Sequence, residues 1–236
     1  RHGLTVLSNA GSKTVPRYRG KAINFFGQTA YTNKPVGGAY RGYGATQAYF
    51  ALECQMDEMA VKLGMDPAEF RKKNHIAEGE SSPIFEALGE GKPGVPQTVD
   101  SCGLATCIEA GKKAIDWDEL RGREPKKGHI REGVGMALLM QGSSIPEIDM
   151  GAAYMKMNED GSFNLHIGAT DLGTGSDTIM AQIASEVLGC DPKDFIVCSS
   201  DTDMTPFDVG AYASSTTYLS GNAVKKVAEK ILVQIM

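Results

Sequence analysis

Residues 152–189 read "AAYMKMNEDGSFNLHIGATDLGTGSDTIMAQIASEVLG", and this stretch decides between the fold classes open to the chain. Two apolar, strand-like runs flank Glu159, Asp160 and Gly161, a turn composition, so residues 152–169 predict an antiparallel hairpin. "TDLGTGSDT" follows; then Ile179, Ile183 and Val187 recur at helical spacing, with Gly189 placed to end the helix. A strand, a glycine loop and a helix also begin a dinucleotide-binding unit, and "GTGSDT" imitates the G-x-G-x-x-G fingerprint. The third glycine is missing, Thr178 standing in its place, and that fold needs repeated parallel crossovers where the hairpin is antiparallel. The expectation is an α+β fold.

Working outward, the same arrangement occurs twice more. "GGAYRGYGATQ" at 37–47 precedes a helix whose apolar face is predicted as Ala48, Leu52, Met56, Met59 and Leu63, ending at Gly64. After a predicted strand "FIVCSS" comes "DTDMTPFDVGAYASSTTYLSGNAV", with the hydroxyls of Ser214, Ser215, Thr216 and Thr217 just ahead of a terminal helix. Glycine permits positive φ and close backbone approach, and a helix start offers free N–H groups at a positive dipole end. One such loop is commonly only a turn. Three of them, with Arg41 and a row of hydroxyls, make a composition suited to a polyanionic ligand held by backbone. Asp171, Asp177, Asp201, Asp203 and Asp208 lie nearby and read as caps and turn formers, so no catalytic residue is assigned. No G-x-x-x-x-G-K-[ST] phosphate loop and no G-x-S-x-G elbow occurs.

Elsewhere, "LTVLS" (4–8), "AINFFGQTAYT" (22–32) and "GVGMALLMQG" (133–142) predict strands, and "GLATCIEAGKKAI" a helix. "DPAEF" opens a short helix with Asp66 as cap, Pro67 first and Glu69 completing a capping box; "LGMDPAEF" is echoed by "LGCDPKDF" at 188–195. Residues 76–100 are polar and rich in Pro, Gly and Glu, so the domain boundary is placed there, giving 1–90 and 91–236. A formal charge of -5 gives no general pull on nucleic acid or anionic membrane, and no apolar run approaches a membrane span. Five cysteines without a C-x-x-C pair read as reduced thiols in a cytoplasmic setting, and four scattered histidines predict no protein-ligated metal. A start at Arg1 and an end at Met236 inside a helical pattern read as part of something longer.

"GGAYRGYGATQAYFALECQMDEMAVKLGMDPAEFRKKN", "GATDLGTGSDTIMAQIASEVLG" and "DTDMTPFDVGAYASSTTYLSGNAV" resemble, in order, three cofactor-contacting segments of the xanthine dehydrogenase and aldehyde oxidase family. The resemblance covers nearly the whole chain. It implies two mixed αβ subdomains of a molybdopterin-binding domain, incomplete at both ends: the end of one and the start of the next. The implied ligand is molybdopterin with molybdenum, in a cytosine dinucleotide form, with the metal held by the cofactor's dithiolene. Iron-sulfur clusters and FAD are expected on other chains or segments, which would be partners along with the rest of the molybdenum-binding subunit.

Carried over by position, the resemblance implies cofactor contacts at Arg41, Gly42, Gly173, Thr174, Gly175, Ala213, Ser214, Ser215 and Thr216, and substrate contacts at Tyr43 and Met136. Tyr43 stands where phenylalanine is common, Thr174 where glutamine is common, and Met136 where purine-oxidising members have a second aromatic. The family's catalytic glutamate lies beyond residue 236, so the chain alone is expected to be inactive. The implied activity is hydroxylation of an aromatic heterocycle of purine or nicotinate type, or of an aldehyde, with water as oxygen source. The alternative is a non-catalytic relative that binds no metal.

Overall fold

The computed structural model describes residues 3–35, 37–89, 92–123 and 128–236. It divides into two compact units, Arg1–Gln141 and Gly142–Met236. Together they hold helices and one mixed sheet, the α+β class expected.

The first unit is helical: α1 (Gly3–Thr14), α2 (Ala45–Lys62), α3 (Pro67–Asn74), α4 (Pro83–Ala87), α5 (Leu104–Ala114) and α6 (Trp117–Gly122). The predicted strand at 4–8 is therefore a helix. Its polar residues fold their side chains back onto the preceding turn, Ser8 to the Leu4 carbonyl (3.1 Å), Asn9 to Thr5 (3.0 Å) and Thr14 to Ala10. Packing against α2 then overrides a weak strand preference. Residues 22–32 and 133–142 form no regular strand and join no sheet among the described residues. In the second of these, side chains replace a strand partner: the Leu138 and Met140 N–H groups donate to the Glu53 carboxylate (3.1 Å) and the Tyr49 hydroxyl (2.8 Å).

That polar seam also corrects the face of α2. Its buried residues are Ala45, Tyr49, Glu53, Met56 and Ala60, while Met59 and Leu63 are exposed. Glu53 points inward because Arg71 Nε (2.7 Å) and the Tyr18 hydroxyl (2.7 Å) meet it there, and a carboxylate is buried only when so paired. Burial, then the neighbouring Glu53 carboxylate, push the Tyr18 hydroxyl far above the ordinary phenol range. Asp66 caps α3, accepting from the Ala68 (2.9 Å) and Glu69 (3.1 Å) amides, and its other oxygen takes Trp117 Nε1 (2.9 Å). Glu69 pairs with Lys112, so the reciprocal capping arm is not made there. The echo at Asp191–Asp194 does form the full capping box.

The second unit packs α7 (Ser176–Leu188) and α8 (Gly221–Ile235) on one face of a three-stranded sheet: β1 (Ala153–Met157), β2 (Phe163–Ile167) and β3 (Phe195–Ser199). β1 and β2 form the expected antiparallel hairpin, Met155 opposite Leu165, with Gly161 at positive φ in the turn. β2 and β3 are parallel, Leu165 opposite Val197, connected through α7. The nucleotide-fold rival is thus right for one crossover and wrong for the sheet. Met155, Leu165, Ile167, Met180, Ala184, Val224 and Ala228 form the core. Burying each large side chain there contributes about 1.5–3 kcal/mol. Among the described residues no helix is long and apolar enough to cross a membrane.

Candidate functional site

The loop ahead of α2 is wound tightly. Gly42, Tyr43 and Gly44 have φ of 92°, 35° and 88°, and two bonds close the turn, Tyr43 N–H to the Tyr40 carbonyl (2.7 Å) and Ala45 N–H to Gly42 (2.9 Å). Only glycine fits at 44, since a Cβ would fall on the Val6 carbonyl oxygen of α1. The Tyr43 hydroxyl is hydrogen-bonded to Thr5 Oγ1 at 2.5 Å. Arg41 is exposed beside this turn, and among the described residues no side chain caps the start of α2.

The loop ahead of α7 is built differently. Asp171 Oδ1 accepts from the Gly173 (2.8 Å), Thr174 (2.9 Å) and Gly175 (3.2 Å) amides, while Gly173 and Gly175 adopt φ of 89° and 75°. Burial alone would raise the Asp171 pKa, but these donors outweigh it and hold the carboxyl below the usual range. The N–H groups expected to seat an anion thus already serve an internal carboxylate. Asp177 follows in the first turn, accepting from Ser199 Oγ (3.0 Å). The Thr174 side chain remains exposed, so it and the loop's outer face are what this segment can offer a ligand.

The loop ahead of α8 carries the most strain. Ala213 and Ser214 are consecutive left-handed residues, φ 51° and 55°, and a π-helical turn, Thr216–Ser220, feeds α8. Left-handed non-glycine backbone costs about 1–3 kcal/mol per residue and persists where surroundings enforce it, often at binding sites; π turns concentrate there too. The enforcing contacts are visible. Ser144 N–H donates to the Ala213 carbonyl (2.9 Å), buried Ser215 donates N–H (3.1 Å) and Oγ–H (2.7 Å) to Tyr212, and Asp208 accepts from Gly210 N–H (2.8 Å) and Ser220 Oγ (2.9 Å). Asp171, Asp201 and Asp208 are thereby loop formers, as expected from their positions.

Ser214 opens onto a cleft of about 480 Å³ in the second unit, lined also by Ser143, Ile183, Thr217, Tyr218, Asn222 and Lys225. Gly221 lets α8 approach there, because a Cβ would press on Ile183 of α7 at 2.9 Å. One cation, several hydroxyls and an amide beside an aromatic and an isoleucine make a donor set fit for a phosphate-bearing heterocycle. Sequence reasoning missed Asn222 and Lys225. Their signal was available: Tyr218, Asn222 and Lys225 recur at spacings of four and three and so share a helix face with the loop. Met136, the second predicted substrate contact, is half-buried against the Ala68, Ile108, Trp117 and Leu138 cluster of the first unit.

The chain belongs to the molybdopterin cofactor-binding domain family: one family model matches residues 1–75 and a second residues 110–236. Among relatives, "Probable hypoxanthine oxidase XdhD" of Escherichia coli (strain K12) is 39% identical over the whole chain, and the "Xanthine dehydrogenase molybdenum-binding subunit" of Escherichia coli O157:H7 is 36% identical over 98% of it. The chain spans 24% and 30% of these two relatives. The solved aldehyde oxidoreductase of Desulfovibrio gigas superposes with a TM-score of 0.67 at 30% identity, covering 84% of this chain and 21% of that one.

Proposed function

We propose that the chain is the molybdenum-cofactor-binding part of a xanthine dehydrogenase-like hydroxylase. The observation that carries this reading is the strained Ala213–Ser214 pair opening onto the cleft that holds Lys225. When bound, the cofactor would supply the redox chemistry that oxidises an aromatic heterocycle or an aldehyde with oxygen from water. The chain's own residues hold and orient it. Ser214 and Thr216 present hydroxyls on a loop that buried Ser215 holds in shape from inside, Lys225 offers a cation to a phosphate, Arg41 and Gly42 offer charge and backbone, and Gly173–Gly175 supply a rigid, preformed edge. Tyr43 flanks the substrate ring, and the exposed part of Met136 is what a second contact would use.

The same proposal includes a cytosine dinucleotide on the cofactor, iron-sulfur and flavin partners, a cytoplasmic location and a boundary between two molybdopterin-binding domains near residue 90. A partner-bearing assembly is supported by the relative named as a subunit. The test is molybdenum and oxidised-pterin content of the protein purified from its own host. Near-stoichiometric values that fall severalfold in Lys225→Ala and Ser214→Ala are expected; a folded wild-type protein without metal or pterin would sink the reading. One observation favours a second reading, a non-catalytic relative: the Asp171 carboxylate fills the amides of the middle loop. Absence of metal would select it.

A further inference from the structure

We propose that Thr5 of α1 is a positioning residue that locks the ring of Tyr43, so that this side chain meets a substrate as a fixed flat plate. The inference rests on the proposed substrate-flanking role of Tyr43. An aromatic residue at φ 35° between two glycines at 92° and 88° is strained, and the turn holds its backbone through the Tyr43 N–H bond to the Tyr40 carbonyl (2.7 Å). The restraint on the ring comes from one turn of α1. Val6 presents its carbonyl to the backbone of Gly44, and adjacent Thr5 holds the Tyr43 hydroxyl at 2.5 Å. The ring tip is held by Thr5, and the next residue of the same helix, Val6, lies so close to Gly44 that the loop cannot shift towards α1.

Two consequences follow for recognition. With its hydroxyl engaged by Thr5, Tyr43 offers the ring surface, so discrimination at this position favours planar, electron-poor rings over ligands that carry only polar edges. A phenylalanine here would lose the latch and recover rotamer freedom, which binding would then have to remove.

The experiment uses the assembled, cofactor-loaded protein and four variants, Thr5→Val, Thr5→Ser, Tyr43→Phe and Tyr43→Ala, with calorimetric binding of hypoxanthine and of acetaldehyde, and thermal unfolding. Thr5→Val and Tyr43→Phe should each weaken hypoxanthine binding about fivefold, the scale of re-ordering one side chain. Acetaldehyde binding and metal content should not change, the double variant should be no worse than either single one, and Thr5→Ser should restore wild-type behaviour. If Tyr43→Ala weakens hypoxanthine binding but Thr5→Val does not, the latch is wrong and the substrate role of Tyr43 stands. If Thr5→Val and Tyr43→Phe are coupled in unfolding temperature while Tyr43→Ala leaves hypoxanthine binding intact, the bond exists but the substrate role fails, and the proposal with it. A wild-type protein that binds hypoxanthine no better than acetaldehyde overturns both.

Discussion

Asp171 shows how one side chain can change the chemistry of a loop. Its carboxyl is held below the usual range because three amides point at one oxygen, against the opposing effect of burial. A folded pKa below the unfolded one stabilises the protein above about pH 4, where the unfolded carboxyl is ionised, and this is lost as pH falls through the folded value. Asp171→Asn should therefore lower the unfolding temperature at pH 7, with the gap to wild type closing as a titration series approaches and passes the folded pKa. A pH-independent gap would show that packing, not charge, is responsible. Gly44 makes the matching argument for backbone. Gly44→Ala should destabilise by more than the roughly 1–2 kcal/mol that left-handed backbone costs an L-residue, because the new Cβ also meets the Val6 carbonyl. A melting curve within a degree of wild type would contradict the close approach.

At the scale of the element, α2 is decided by charge pairing as much as by apolar periodicity. Arg71 is fully buried and donates to Glu53 Oε2 (2.7 Å), the Glu53 carbonyl (2.9 Å), Asp57 Oδ1 (2.6 Å) and the Pro67 carbonyl (3.2 Å), joining α3 to α2. Burial would lower its pKa, yet Glu53 and Asp57 raise it further, so it stays charged. Arg71→Met leaves Glu53 buried without its cation and should cost about 3–5 kcal/mol in chemical unfolding. By contrast, Lys72→Ala removes an exposed pair with Glu109 between α3 and α5, and no measurable change in midpoint is expected. Equal effects of the two substitutions would refute the distinction. The expected face of α2 is partly right: Met56 is buried and Ala48 and Leu52 half-buried, but Met59 and Leu63 are exposed, and only tertiary partners reveal that Tyr49 and Glu53 belong inside.

Across the whole molecule, the features legible in the sequence are those written in short-range grammar. The hairpin at 152–169, the caps at Asp66 and Asp191, the glycine stop at 189 and the three loop-to-helix junctions depend on residues within a few positions of one another. The molybdopterin-binding frame was indicated by the resemblance of three segments, in order, to those of a known family, and not by spacing alone. Tertiary structure alone decided the rest. It made residues 4–8 helical, left 22–32 and 133–142 without strand partners, and turned Glu53 inward. It also tied Tyr43 to Thr5 and the Ala213 carbonyl to the Ser144 amide. The physical reason is common to all of these. A local pattern states what a segment can form, but a buried polar group or an unpaired backbone donor takes its place from whichever partner the packed chain brings to it, and that partner can lie 38 residues away, as between Thr5 and Tyr43, or 85, as between Glu53 and Leu138.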